Sequence, residues 1–128
     1  MSDIPDILKT LRGLRGATTA AANTSEAILQ ATEELLRALQ AANGFAPEDV
    51  ESAIFTSSPD LTAEYPARAA RRLGWTDVPL LGAAEVEVPD GLRRCIRVLL
   101  HFYSAKAPRE LKHTYLREAA NLRPDRPR

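Results

Sequence analysis

The 128-residue sequence has one cysteine, two histidines, no net charge and no long apolar run, and each shortage removes a class of protein. A lone Cys95 excludes an internal disulfide framework and a cysteine-based zinc site. With only His101 and His113 beside it, a His-rich metal site is not expected, so no metal and no cofactor is predicted. No stretch of about 18 apolar residues occurs, so no membrane span is expected. The N-terminal MSDIPDILKT lacks the basic stretch and apolar run of a secretory signal, which points to a cytoplasmic protein. Lys+Arg and Asp+Glu are both 17, a balance that argues against a nucleic-acid or polybasic membrane partner. Catalytic motifs are missing too: there is no GxSxG, P-loop, GxGxxG or HExxH, and no Ser-His-Asp spacing. Two readings fit that absence. One is a protein that is no enzyme. The other is chemistry needing no nucleophile, metal or cofactor, only charge placed in a pocket.

What is present is one domain's worth of chain, 45% hydrophobic and 27% charged, enough to bury a single core. The zero charge hides a split. Residues 1–64 carry a net of −6 and residues 65–128 a net of +6. Arginine outnumbers lysine 14 to 3, and its planar fork suits carboxylates and phosphates. A genome rich in Arg and Ala codons explains the same bias, since Ala occurs 21 times.

Residues 1–10 read as a polar leader. Leu11–Thr19 reads as a strand whose Gly13 and Gly16 permit close approach of a ligand or neighbour. Asn23-Thr24-Ser25-Glu26 is a capping-box pattern with Asn23 as N-cap. It opens a helix from about Thr24 to Ala42, with Ile28, Leu29, Leu35, Leu36 and Leu39 on one face and Gly44 as the stop. Strands follow at Val50–Ser58, Val78–Ala84, Cys95–Ser104 and Lys112–Leu116, with a short helix at Tyr65–Leu73 and a helical turn within Lys106–Glu110. The order β, α, β, α, β, β, β puts one long helix on one face of a five-stranded sheet. The opposite face is left to be covered by an oligomeric partner.

Four residues stand out chemically. Arg97 lies inside the apolar strand Cys95–Ser104 and alternates with Ile96 and Val98, so it faces away from them. An Arg there requires an acidic partner or a ligand; a Glu across the sheet satisfies that as well as a substrate does. Arg15, with Arg12, brackets Gly13 in the first strand, where solvent exposure is the plain alternative. Glu85 follows the strand Val78–Ala84 and reads equally as a strand-end carboxylate. Tyr115 reads equally as a core aromatic.

Seven segments in order resemble the small, monofunctional, trimeric α/β chorismate mutases of the AroH class. They are Arg12–Thr19 (RGLRGATT), Ser58–Thr62 (SPDLT), Tyr65–Arg71 (YPARAAR), Gly74-Trp75 with Val78-Pro79-Leu80, Cys95-Ile96-Arg97-Val98, His113–Glu118 (HTYLRE) and Leu122–Asp125 (LRPD). The resemblance implies an α/β (α+β) fold. It would have a mixed five-stranded sheet, one long helix and short helices, in a homotrimer forming a pseudo-α/β-barrel with active sites between subunits. The domain would span residues 11–122, followed by a tail, 123–128. The implied reaction is the pericyclic rearrangement of chorismate to prephenate, on the way to phenylalanine and tyrosine, with no covalent intermediate. By matched position, Arg97 stands at the ether oxygen, where negative charge grows. Arg15 grips the side-chain carboxylate with Tyr115 as helper, and Glu85 accepts from the ring hydroxyl. Leu80, Leu81 and Gly82 form the wall beside it. Tyr65, Ala67, Arg68 and Leu122 line the cleft, with Arg71 and Arg123 near the ring carboxylate.

The sequence departs from the pattern in places. Gly82 stands where some relatives have cysteine, and Tyr65 and Arg68 where relatives often have Phe and Lys. The loop Ser104–Pro108 is shifted by one residue. Two other classes stay open on sequence alone: a trimeric imine/enamine deaminase, distinguished by turnover of an imine, and a non-enzymatic module whose arginines only bind a partner's acids.

Overall fold

The structure, a computed structural model, describes residues 8–122. Most of the expected leader and the whole tail, Arg123 included, lie outside the described residues. Seven elements follow in the expected order: β1 Thr10–Thr19, α1 Ser25–Asn43, β2 Val50–Ser57, α2 Arg68–Arg72, β3 Leu80–Ala84, β4 Cys95–Ser104 and β5 Thr114–Tyr115. Short 3₁₀ turns occupy Pro47–Asp49, Pro108–Glu110 and Arg117–Asn121. The strands form one mixed sheet in the order β3-β2-β4-β1-β5. The most apolar strand, β4, is central and antiparallel to both β1 and β2, while β3 and β5 add in parallel at the edges.

α1 forms because its apolar residues recur at helical spacing and its ends are capped. Ile28, Leu29, Leu35, Leu36 and Leu39 are all buried, as the spacing predicts. Gly44 closes the helix in the left-handed conformation, φ 67°, with its amide bonded to the Gln40 carbonyl, a geometry that suits glycine. The N-terminal end differs from expectation. The N-cap is Thr24, not Asn23: Thr24 is extended and its hydroxyl accepts from the Ala27 amide at 3.1 Å. Asn23 instead reaches across the fold. Its carboxamide oxygen accepts from the amides of Thr62 and Ala63, and its nitrogen donates to the Thr62 hydroxyl. Two good capping residues stood side by side, and a tertiary demand decided between them.

Three further boundaries contract. The helix expected over Tyr65–Leu73 is regular only at Arg68–Arg72, the residues before it forming single turns. The strand expected over Val78–Ala84 begins at Leu80. The strand expected over Lys112–Leu116 pairs only at Thr114 and Tyr115, because Arg117 turns into a left-handed conformation and ends it.

The main core lies between α1 and one sheet face. Leu35, Leu36 and Leu39 meet Leu14, Phe55, Val98, Leu100 and Phe102, with Phe45 and Trp75 closing one end. Phe45 packs edge-on to Trp75 at 6.2 Å and tilted against Phe102 at 5.0 Å. Gly16 is required here. A Cβ on it would come within 2.8 Å of Leu39 and 3.1 Å of Leu35, so the missing side chain lets α1 lie against β1. Gly13 makes no such demand. Of the two glycines expected to admit a close neighbour, only Gly16 does.

Side chains alternate between sheet faces along each strand. Ile96, Val98, Leu100 and Phe102 point into the core, so Arg97, Leu99, His101 and Tyr103 point to the other face. Among the described residues no long helix covers that second face; the turn Arg117–Asn121 covers one corner, where Ala119 packs on Ala17 and Tyr115.

Candidate functional site

The register of β4 against its neighbours assembles a row of groups on the uncovered face. Thr56 pairs with Arg97, Arg97 with Ala17, and Ala17 with Tyr115. Glu85 joins from the far edge. Its amide donates to the Ser57 carbonyl at 2.9 Å, extending the β2–β3 ladder one step beyond Ala84. Its carboxylate accepts from the Thr56 hydroxyl at 3.0 Å and lies 3.7 Å from the Arg97 guanidinium. Arg97 is therefore paired with an acid across the sheet, as its position in an apolar strand requires. The pair is loose, and the Arg97 side chain keeps 46% exposure, so its remaining donors are available to a ligand.

Arg15 lies on the same face, one residue before Gly16 and opposite Leu99. Its amide donates to the His113 ring at 3.0 Å, which ties β1 to the start of β5. Arg15, Arg97, Tyr115 and Leu122 line one cleft of about 350 Å³, together with Ile54, Thr56 and Leu99. That volume suits a small molecule. Two cations above an apolar floor select an anion, and the neighbouring carboxylate of Glu85 adds an acceptor for a hydroxyl. Thr56 is the member that residue-by-residue reasoning missed as a site group. Its sheet face follows from strand pairing rather than from the sequence alternation: a register shift between Val50 and Ser52 leaves Val50 on the core face, while Thr56, paired with Arg97, lies on the other.

The other expected residues go elsewhere. Gly82 pairs with Phe55, which is fully buried in the main core, so Gly82 belongs to the opposite sheet face from Arg97. Tyr65, Ala67 and Gly82 line a second hollow of about 540 Å³. Tyr65 is 77% exposed there, and a Cβ added to Gly82 would meet only open space. Arg68 pairs with Glu64 at 3.1 Å. The amide of Tyr65 and the hydroxyl of Ser25, with the charge of Arg68, hold the Glu64 carboxyl below its ordinary pKa. Arg71 donates to the carbonyls of Trp75 and Thr76, holding the end of α2 rather than entering either hollow. Leu80 packs against the core and Leu81 is exposed on the Arg97 face. Within one chain, then, Arg15, Arg97, Tyr115 and Leu122 gather on one sheet face and Tyr65, Ala67 and Gly82 on the other, while Arg71 joins neither group.

The entry to β4 is tightly held. Asp60 accepts from the Ser58 hydroxyl at 2.5 Å and from the Arg94 amide at 3.1 and 2.9 Å. Burial pushes the Asp60 carboxyl up, but these bonds and the charge of Arg93 outweigh it, so its pKa lies below the ordinary carboxylate value. Cys95, next in the chain, is buried, and burial pushes its thiol up. Among the described residues no cluster of His, Cys, Asp and Glu could hold a metal ion, and no helix is long and apolar enough to cross a membrane.

Comparison with known proteins gives this geometry a context. The family model described as chorismate mutase type I matches residues 11–126. A curated chorismate mutase from Thermus thermophilus is 49% identical over 116 residues, covering 90% of this chain and 95% of the relative. One from Bacillus subtilis is 41% identical over 116 residues, covering 90% and 91%. The solved structure of a chorismate mutase from Clostridium thermocellum superposes with a TM-score of 0.83 at 42% identity, covering 84% of this chain and 96% of that one.

Proposed function

The chain belongs to the chorismate mutase type I family and is an isomerase converting chorismate to prephenate; we propose that it works by charge placement alone, with Arg97 as the central group. The observation that carries this reading is one cleft lined by Arg15, Thr56, Arg97 and Tyr115, with Glu85 beside it, bonded to Thr56 and 3.7 Å from Arg97. Chorismate is a dianion with an ether bridge. As the ether C–O bond breaks, negative charge grows on that oxygen. A cation held there by the sheet binds the transition state more tightly than the substrate, which is the requirement for catalysis. Arg15 and Tyr115 hold the carboxylate of the enolpyruvyl arm in its compact conformer. Glu85 accepts from the ring hydroxyl, oriented by Thr56. No proton transfer, metal or cofactor enters the scheme.

The catalytic unit in this proposal is a homotrimer. Two observations support it. Tyr65, Ala67 and Gly82 lie on the sheet face opposite Arg15 and Arg97, so one chain does not present both groups to one small molecule. Leu11, Leu81 and Tyr103 also stay 46%, 61% and 43% exposed, a set of apolar side chains that a neighbouring subunit would cover. Each site would join Arg15, Arg97 and Tyr115 of one chain to the Tyr65–Gly82 hollow of the next. Arg123, matched by the resemblance to a position near the ring carboxylate, lies outside the described residues, and the cytoplasm would be the protein's setting.

The test is the loss of chorismate absorbance in purified wild type and Arg97→Ala. Removing one preorganised donor costs about 10²–10³ in rate, and a charged one at the ether oxygen is expected to cost at least that. Replacing Arg97 by citrulline keeps the shape without the charge and should recover little. Near-normal turnover in Arg97→Ala, or activity in a species that light scattering shows to be monomeric, would overturn the role of Arg97 or the shared site respectively.

A further inference from the structure

Among the described residues only two that are not glycine have positive φ, Arg94 at 48° and Arg117 at 52°. Side chains rarely occupy that region without a structural reason. Both residues border segments that carry the cleft. Arg94 immediately precedes β4, three residues before Arg97. Arg117 follows β5, two residues after Tyr115, and opens the turn Arg117–Asn121 that leads to Leu122.

Both guanidinium groups reach the same place. Arg94 Nε donates to the Ala20 carbonyl at 3.0 Å, and Arg117 Nη1 donates to the Thr19 carbonyl at 3.2 Å. These are successive carbonyls at the end of β1, the strand of Arg15. The Ala20 amide returns a bond to the Arg94 carbonyl at 2.8 Å. Each arginine is also anchored from behind. The Asp60 carboxylate accepts the Arg94 amide, and the Glu34 carboxylate on α1 accepts Arg117 Nε at 3.1 Å.

We propose that Arg94 and Arg117 form a clamp on the end of β1, setting the strand of Arg15 against the segments that carry Arg97, Tyr115 and Leu122. They are positioning residues, since neither lines the cleft. The inference rests on the reading that Arg15, Arg97 and Tyr115 form the catalytic cleft. Its physical basis is that transition-state charge stabilisation is steep in distance, so that a displacement of about 1 Å costs up to 10² in rate. A left-handed backbone held by a side-chain bond to another strand leaves the following residues one path into the cleft.

Three substitutions at each position separate the possibilities. R94M and R117M keep the stem and remove the donors. R94K and R117K keep a donor. R94G and R117G relieve the backbone strain while removing the side chain. The readouts are kcat, KM for chorismate and Tm. The expected result is a fall in kcat of about tenfold for each Met variant, with KM within about threefold and Tm little changed. The Lys variants should recover kcat to within about threefold of wild type. The Gly variants should melt no lower than the Met variants and still lose kcat as Met does. Wild-type kcat in the Met or Gly variants, or Lys variants as slow as Met, overturns the clamp. If the Gly variants fail to fold, the contrast between Met and Lys decides. Arg97→Ala in parallel tests the underlying reading: normal turnover there overturns the cleft assignment independently of the clamp variants.

Discussion

The two faces of the sheet divide the molecule's tasks. The face under α1 is apolar and closed: Leu14, Phe55, Val98, Leu100 and Phe102 are all at or near zero exposure. The face bearing Arg15, Thr56 and Arg97 is charged and open, and Thr56 and Arg97 both hold the Glu85 carboxylate across strands rather than meeting a covering layer. Strand alternation builds both at once, since each residue committed to the core sends its neighbour to the site. The first face supplies stability and rigidity. The second uses that rigidity to hold a cation that is only loosely paired, whereas a close-packed face would have neutralised it.

If the division holds, substitutions on one face move stability and on the other move rate. The largest expected effect is at Leu35, fully buried beneath Gly16. Leu35→Ala should destabilise the fold by about 2–5 kcal/mol in denaturant unfolding, with kcat per folded molecule near wild type. A large fall in that kcat would show the faces to be coupled. Arg97→Ala is its mirror image, with a loss of rate and little change in melting. Thr56→Val is smaller. It removes the hydroxyl that orients Glu85 but leaves the strand intact, and a hydrogen bond to a charged group is worth about 1.5–3 kcal/mol. Because that site is half open to water, a fall in kcat/KM of about three- to tenfold is expected, with no loss of Tm. A fall in Tm without one in kcat/KM would place Thr56 with the core.

The smallest effect sharpens the comparison at the edge between the faces. Asp60 has its pKa depressed in the fold by the Ser58 and Arg94 bonds. A carboxyl with a depressed folded pKa contributes stability that is fully present above its unfolded pKa, about 3.9. That stability is lost as pH falls through the lower folded value. Wild type should therefore lose Tm more steeply than Asp60→Asn below about pH 4, and the two slopes should coincide near neutrality. Equal slopes throughout would remove Asp60 from the linkage.

The core face was largely legible in the sequence because its determinants are local. Leucines at helical spacing, a capping segment and a terminal Gly44 define α1 without reference to the rest of the chain. The mistake at Asn23 arose where locality ended, since its partners Thr62 and Ala63 lie about forty residues away. The same limit governed the site. Alternation placed Arg97 opposite Ile96 and Val98, but the register that sets it beside Thr56 and brings Glu85 to 3.7 Å belongs to strand pairing. The separation of Gly82 and Tyr65 from Arg97 was invisible for that reason, because a list of matched residues carries no sheet face. The arginines at 94 and 117 gave no local sign either; left-handed positions ordinarily announce themselves as Gly or Asn.

Cys95 gives the chain a built-in stopwatch. It is the single thiol in the sequence, it sits at the first position of the central strand at 2% exposure, and its amide is tied to the Ser58 hydroxyl. Burial raises its pKa, so the folded protein offers a thiol reagent neither access nor thiolate. Modification then draws on the minority of molecules in which that strand has opened from its neighbours, and the labelling rate in native buffer is a count of that open population. A ligand that seals the neighbouring Arg97 cleft would slow the count, turning the lone cysteine into a gauge of occupancy that needs no substrate turnover.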